Sequence, residues 1–202
     1  EKHCASCHVL GALGDEKERN APVLDGWSTE AWILAMLHEP DGDTRFGRTP
    51  YEGEMPSVDV PPKDAEGFKP MPREDMEAAA AFLASQGDEP GEEVAEGALR
   101  RDAARVAKGK EIVTTRCTGC HLFAGEGDDA DQGLAPELAG YGSVAWVRAQ
   151  IANPATKATY REHALDADRK GHMPRFDREL RAEDLDLLAR WVRERARGSA
   201  PR

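Results

Sequence analysis

Cys117-Thr118-Gly119-Cys120-His121 is the stretch of sequence around which the rest of the chain can be interpreted. The same arrangement occurs at Cys4-Ala5-Ser6-Cys7-His8, and the 202-residue chain has four cysteines in all. All four cysteines therefore fall into two copies of one five-residue pattern. Chance is a poor explanation for this use of cysteine, so we treat each copy as the centre of one structural unit.

Two thiols three positions apart, with a histidine directly after the second, are the sequence signature for covalent attachment of a c-type haem. In each copy both sulfurs would form thioethers with the haem vinyl groups, and the adjacent imidazole would be the proximal iron ligand. The chain would thus carry two covalently attached haem c groups. The residues predicted to hold them are Cys4, Cys7, His8, Cys117, Cys120 and His121.

Other uses of paired cysteines fit the sequence less well. A zinc site commonly places its two cysteine pairs roughly 15–20 residues apart, whereas 109 residues separate Cys7 from Cys117. A thioredoxin-like pair needs a βαβ setting, and the β-branched runs that would form one are missing. A disulfide within either pair would leave the repeated histidine unexplained.

Composition narrows the classes of partner. The chain has 27 Lys and Arg against 38 Asp and Glu, a formal net charge of −11. This charge argues against nucleic acid or anionic lipid and favours docking to a basic protein face, although acidity also serves solubility alone. No stretch approaches the ~20 apolar residues of a membrane span, so we expect no membrane insertion within this chain. Aromatic residues make up only 6% of the chain, so we expect the haem to supply much of the apolar core.

Apolar residues at helical spacing predict four helices, with Ser28 as the N-cap of the first and Gly87 as the stop of the second. The segment 41–70, rich in Gly, Pro and Asp, would be a loop on the distal side of the first haem. The predicted helices cover residues 29–38, 72–86, 94–116 and 182–196.

An internal repeat sets the domain organisation. Ala21–Pro40 aligns without a gap on Ala135–Pro154, with eight identical positions that include Trp32 and Trp146. This duplication predicts an all-α chain made of two tandem haem-binding domains. We expect residues 1–87 to form the first domain, 88–95 a linker and 96–202 the second domain.

A methionine on the face opposite the histidine would fill the sixth position of each iron, as suits an electron carrier. Met173, followed by Pro174, is the only methionine of the second half. In the first half Met36 and Met76 lie on apolar helical faces, where core packing is the better explanation.

Met55 and Met71 remain for the first half, and both precede a proline. When the closing helices are aligned, Met71 matches Leu180 as the residue that opens the helix and packs against it. We therefore predict Met55 and Met173 as the iron-binding methionines, with Met71 as the alternative to Met55. His172 competes with Met173, but the first half has a glutamate at the matching place.

With these features assembled, the chain resembles a dihaem class I c-type cytochrome, two domains in tandem in the manner of cytochrome c4. The second half is also similar to c-type domains attached to bacterial quinol:cytochrome c reductases, through residues 138–143, Trp146, Asn153-Pro154 and Met173-Pro174. The resemblance implies a cytochrome c fold in each half. It also implies that the carbonyls of Pro22 and Pro136 accept hydrogen bonds from the ring N–H groups of the axial histidines.

The function that follows is single-electron transfer between redox proteins, with a membrane quinol:cytochrome c reductase or a terminal oxidase as partner. A dihaem enzyme of the peroxidase or thiosulfate-oxidising type is the alternative, and it would need an exchangeable axial position on one iron. Covalent haem implies a periplasmic location by resemblance. Only three residues precede the first motif, so we expect the first domain's missing N-terminal helix, with a signal or membrane tether, upstream.

Overall fold

The computed structural model describes residues 4–63, 66–89, 102–127, 135–160 and 173–201. Within these ranges the regular structure is helical and no strand is formed. None of the helices described is both long and apolar enough to cross a membrane. The helices are α1 (Glu30–His38), α2 (Arg73–Gln86), α3 (Ala103–Ile112), α4 (Val144–Ala152) and α5 (Ala182–Arg197).

The predicted helix positions are confirmed for α1, α2 and α5, each within one residue at either end. Gly87 is the C-cap of α2, as its position in the sequence predicted. The helix predicted over residues 94–116 is described from residue 103, where it follows an Asp102 N-cap, and residues 94–101 lie outside the described ranges. It continues beyond α3 as a π-helical turn, Val113–Cys117, that leads directly to the second motif.

The prediction of Ser28 as the N-cap of α1 is wrong by one residue. The Thr29 side chain accepts the hydrogen bond from the Trp32 N–H, and Ser143 does the same for Trp146 at the start of α4. Ser28 instead adopts a left-handed backbone conformation with φ 61°, where the repeat has Gly142 at φ 78°. Residue 28 therefore forms a turn and is not the N-cap of α1.

The apolar faces of the helices make two clusters. The first is built from α1, α2 and α3, and the faces predicted for α1 and α2 are confirmed as buried. The second is built from α4 and α5 around Val147, Ile151, Leu185 and Ala189. Trp27 packs against both clusters, so the loop before α1 lies where they meet.

Helix α3 packs closely on α2. A Cβ at Gly109 would lie 2.0 Å from the Ala78 carbonyl oxygen and 2.7 Å from the Phe82 Cβ, so only glycine permits this approach. The sequence predicted α3 as the first helix of a second domain, and α2 as the closing helix of the first. The predicted division at residues 88–95 stays a prediction, and this helix contact crosses it.

Helix α5 also reaches across the predicted division. The side chain of Arg193, which is 4% exposed, donates hydrogen bonds to the carbonyls of Gly87 and, at 3.1 Å, Gly142. Arg197 contacts Asp88 at 3.0 Å. Because the last carbonyls of a helix have no partner within it, the two guanidinium groups serve as a cap for the C-terminal end of α2.

This arrangement predicts a large effect of Arg193→Ala on stability. The change leaves two buried carbonyls without their charged donor, which costs about 1.5–3 kcal/mol. Arg190→Ala is the matched control, because Arg190 lies exposed on the same helix and its loss should cost less than about 0.5 kcal/mol. Denaturant unfolding of the holoprotein, followed by helical circular dichroism, measures both. Equal midpoints for the two variants would contradict this role of Arg193.

Candidate functional site

The first motif begins in a short 3₁₀ turn, Cys4–Ser6. The N–H groups of Cys7 and His8 donate to the Cys4 carbonyl at 3.1 and 2.8 Å. This single tight turn is what a spacing of two residues between the cysteines requires if both sulfurs are to reach one planar group. The motif therefore presents its two thiols and its imidazole from one turn of backbone.

The second motif is built in the same way at the end of the π-helical turn. The N–H groups of Cys120 and His121 donate to the Cys117 carbonyl at 3.2 and 2.9 Å. In the chain that follows, Leu138 donates to the Leu122 carbonyl at 2.9 Å, as Leu24 does to the Val9 carbonyl at 2.8 Å. The two motifs thus share a local geometry as well as a sequence.

Each histidine is held by a proline carbonyl. The distance from His8 Nδ1 to the Pro22 oxygen is 2.8 Å, and that from His121 Nδ1 to the Pro136 oxygen is 2.9 Å. A carbonyl can only accept, so Nδ1 carries the proton and Nε2 keeps its lone pair. Each imidazole is thereby fixed in the tautomer and orientation of a metal ligand.

The surroundings of both imidazoles favour the neutral form. Burial lowers the pKa of His8, and the hydrogen bond to the Pro22 carbonyl opposes this shift only in part. Burial likewise lowers the pKa of His121, against the opposing effects of Pro136 and of the Glu137 charge. A neutral imidazole is the state that binds a metal, so the protein holds both rings ready for coordination.

Two buried carboxylates organise the loops after the histidines. Asp25 accepts the Gly11 N–H with both of its oxygens, at 2.9 and 3.1 Å. Glu137 accepts the N–H groups of Ala124, Gly125 and Ala139 at 2.9, 3.0 and 2.9 Å. Charge-assisted hydrogen bonds of this kind stabilise a turn that has few backbone hydrogen bonds of its own.

Sequence reasoning missed both carboxylates. The aligned repeat places Asp25 opposite Ala139 and Glu137 opposite Val23, so neither one is repeated. In each half a carboxylate holds the loop after the histidine, but the carboxylate stands at a different position of the repeat. An acidic residue inside an otherwise apolar repeat block was the only signal that the sequence offered.

No disulfide joins any of the four cysteines. Burial raises the pKa of the Cys117 thiol to about 11, against the lowering effect of Arg116, so this group is protonated at neutral pH. Cys120 is exposed, while Cys4 and Cys7 are half-buried. Each pair is therefore available for two thioether bonds.

An apolar cleft lies beside the first motif. On the motif's side its walls are Cys4, His8, Leu10, Leu13 and Leu24. The rest of its lining comes from α5 and consists of Leu188, Trp191 and Val192. A cleft lined by an imidazole, a thiol and apolar side chains fits a flat apolar macrocycle.

The second motif lies against the first apolar cluster. Cys117 and Phe123 pack on that cluster, and the rings of Phe82 and Phe123 are 5.5 Å apart between centroids. Leu138, two residues after Pro136, is 6% exposed and belongs to the same cluster. The second imidazole is therefore also bordered by an apolar surface.

The predicted methionine ligands fall into different clusters. Met55 is half-buried and packs on the first cluster, where Met71 is 5% exposed and joins the core. Met173 is half-buried against the second cluster, and the Gln150 amide nitrogen lies 3.6 Å from its sulfur. His172 lies outside the described residues. The geometry fits Met71 as a packing residue, and the choice of Met55 stays a prediction.

These groups fit a covalently bound haem at each motif. Paired free thiols, an imidazole with Nε2 available and an adjoining apolar surface occur at both. A thioether sulfur is available in each apolar cluster. His8, His121, Met55 and Met173 are the residues that would bind iron.

Comparison with known proteins finds a similarity to cytochrome c in the second half of the chain. Residues 106–196 match the family model described as cytochrome c. That range contains the second motif, Pro136, Met173, helix α4 and all of α5 except its last residue. No solved structure matches the chain.

The curated relatives are subunits of one kind of complex. The chain is 27% identical over 175 residues to the cbb3-type cytochrome c oxidase subunit CcoP of Helicobacter pylori, across 86% of this chain and 48% of the relative. The chain is 26% identical to CcoP of Helicobacter pylori strain 52, again across 86% of this chain and 48% of the relative. The chain therefore spans about half the length of the curated relatives it matches.

The carboxylate of Glu137 gives a test of how the second loop is held. Glu137→Ala removes three backbone hydrogen bonds to a buried charge and should destabilise the holoprotein by about 1.5–3 kcal/mol. Glu126→Ala changes an exposed residue of the same loop and is the control. Thermal unfolding followed at the haem absorption band measures both. A Glu137→Ala protein as stable as the control would show that the loop does not depend on this carboxylate.

Proposed function

We propose that the chain is a dihaem c-type cytochrome that passes single electrons within a bacterial respiratory chain. The observation that carries the proposal is the identical arrangement at the two motifs, where each histidine donates from Nδ1 to a proline carbonyl at 2.8 or 2.9 Å. The match to the curated relatives also supports two units. It spans 175 residues, whereas the family model covers 106–196, so the similarity extends well into the first half.

When bound, each haem supplies one iron that gains or loses a single electron. The residues of the chain do no bond chemistry in this function. Cys4, Cys7, Cys117 and Cys120 fix the two groups covalently, while the histidines set the proximal side. Apolar walls and a methionine sulfur favour the reduced iron, since burial and a thioether ligand raise the potential.

The partner proposed is a terminal oxidase of the cbb3 type, in which this chain would be the cytochrome part. The proposal rests on the similarity to the oxidase subunit CcoP, and it favours an oxidase over a quinol:cytochrome c reductase. A net charge of −11 suits a soluble redox donor with a basic docking face. Covalent haem places the chain in the periplasm in this proposal.

Mass spectrometry of the purified protein tests the haem count. The expected mass is that of the polypeptide plus two haems, because four thiols are available in two equivalent turns. Replacing Cys4 and Cys7 with alanine should remove one haem, and replacing Cys117 and Cys120 should remove the other. A polypeptide mass without haem would refute the proposal, and a single haem that depends only on Cys117 and Cys120 would refute the dihaem part.

Exposure of the reduced protein to carbon monoxide separates a carrier from a dihaem enzyme. Slow or undetectable binding is expected, since a methionine closes the sixth position of each iron. Met55→Ala or Met173→Ala should each open one iron of the reduced protein to the gas. In the oxidised protein, each change should remove the far-red absorption band of one thioether-bound haem. Rapid binding by the unchanged protein at one haem would favour the enzyme.

Redox titration tests whether the two centres differ. The wall of the first cleft includes Trp191, which is 40% exposed, whereas the second motif lies against a buried core. Because solvent access changes the reduction potential, two distinguishable one-electron steps are expected. A curve that fits two equal, independent centres would contradict this expectation.

A further inference from the structure

The cleft of the first motif is closed by a helix from the other half of the sequence. Leu188, Trp191 and Val192 of α5 line this cleft together with Cys4 and His8. Sequence order would have assigned this place to α2, the closing helix of residues 1–87. Instead, α2 packs on α1 and α3 in the first cluster.

Backbone contacts fasten α5 to the first motif's loop. The Gly26 N–H donates to the Ala196 carbonyl at 2.8 Å, near the C-terminal end of α5. A Cβ at Gly26 would lie 2.5 Å from the Pro201 ring, so the chain after α5 also rests on this loop. The contact is too close to be an incidental approach of two surfaces.

The reciprocal contact is made by the second motif. Phe123, two residues after His121, packs its ring on Phe82 of α2. At Gly87, the C-cap of α2, a Cβ would lie 2.8 Å from the Gly142 carbonyl carbon in the second motif's loop. Each loop that follows a histidine is therefore in contact with the closing helix of the opposite half.

The two loops meet at their ends. A Cβ at Gly142 would lie 2.7 Å from the Ser28 Cβ, so the two equivalent turns of the repeat touch each other. Trp27 lies 5.1 Å from Tyr141 and 5.7 Å from Trp146 between ring centroids. At this junction the chain of each half passes from its own loop to the helices that contact the loop of the other half.

The methionines follow the closing helices. Met173 packs on the second cluster together with Leu188 and Val192, which also line the cleft beside His8. Met55 packs on the first cluster together with Cys117. Each sulfur thus lies in the apolar cluster that borders the motif of the other half.

We propose that the two haem pockets are interleaved: the haem bonded to Cys4 and Cys7 receives Met173, and the haem bonded to Cys117 and Cys120 receives Met55. This inference rests on the proposed dihaem function and differs from the pairing within each half that the sequence favoured. Duplication makes the exchange inexpensive, because two closing helices of common origin can offer equivalent contacts to either loop. One consequence is that neither half forms a complete haem site by itself.

Proton nuclear magnetic resonance of the intact, reduced holoprotein tests the pairing without dismantling the fold. The ε-methyl protons of an iron-bound methionine lie above the haem ring, and the ring current moves them far from other methyl signals. Two such signals are expected, and Met173→Leu should remove one of them completely. Nuclear Overhauser contacts should connect that signal to the haem whose thioether protons contact Cys4 and Cys7.

Met36→Leu is the matched control, because Met36 is 7% exposed in the core of α1 and should leave both shifted signals in place. Contacts from the Met173 methyl to the haem on Cys117 and Cys120 would overturn the proposal, as would the survival of both signals in Met173→Leu. Failure of the proposed function would look different. The purified protein would then lack two covalent haems, and this would be seen before any pairing is measured.

Two neighbouring leucines of α5 provide a second measurement. Leu188 lines the cleft beside His8, whereas Leu187 is 68% exposed. Leu188→Asn should shift the methyl resonances of the haem on Cys4 and Cys7 and leave those of the other haem unchanged. Leu187→Asn should change neither. A Leu188→Asn effect confined to the haem on Cys117 and Cys120, or no effect on either haem, would contradict the interleaved arrangement.

Discussion

The hydrogen bond from each histidine Nδ1 to a proline carbonyl is the constraint on which the rest of the site depends. It fixes the proton on one ring nitrogen and so directs the other nitrogen outward. The bond requires the chain to return to the histidine after 14 or 15 residues, which is a long loop with little regular structure. Asp25 and Glu137 hold these two loops closed by accepting their backbone N–H groups. A buried carboxylate destabilises the fold unless it is hydrogen-bonded, and here the loop N–H groups supply those hydrogen bonds.

The second organising constraint concerns the apolar surface beside each motif. A small helical half of the chain has too few side chains of its own to cover that surface. In this chain the closing helices cover that surface across the two halves. Helix α5 borders the first motif, and α2 borders the second. Arg193 then ties the arrangement together, because its guanidinium reaches the carbonyls of both Gly87 and Gly142. The two halves thus depend on each other for their closure.

The junction between the halves is built from aromatic rings. Trp27, Tyr141 and Trp146 form a cluster of rings with centroid distances of 5.1 to 5.7 Å, located where the two loops touch. Burial raises the pKa of Tyr141 well above its usual value, so its phenol remains neutral. These rings therefore join the two halves at the place where their loops touch.

The sequence by itself determined the chemistry and the local structure of this protein. Two Cys-x-x-Cys-His motifs predict haem attachment, because all the bonding atoms of each lie within five residues. Helical periodicity correctly located α1, α2 and α5, because it depends on near neighbours. The prediction of Ser28 as a cap was wrong, since this residue forms a left-handed turn that lies against Gly142, a residue distant in sequence. Only the tertiary structure decided which closing helix borders which motif. Two duplicated helices satisfy the same local pattern, so their choice of partner rests on long-range contacts, such as those of Arg193 and Gly109, that no local pattern encodes.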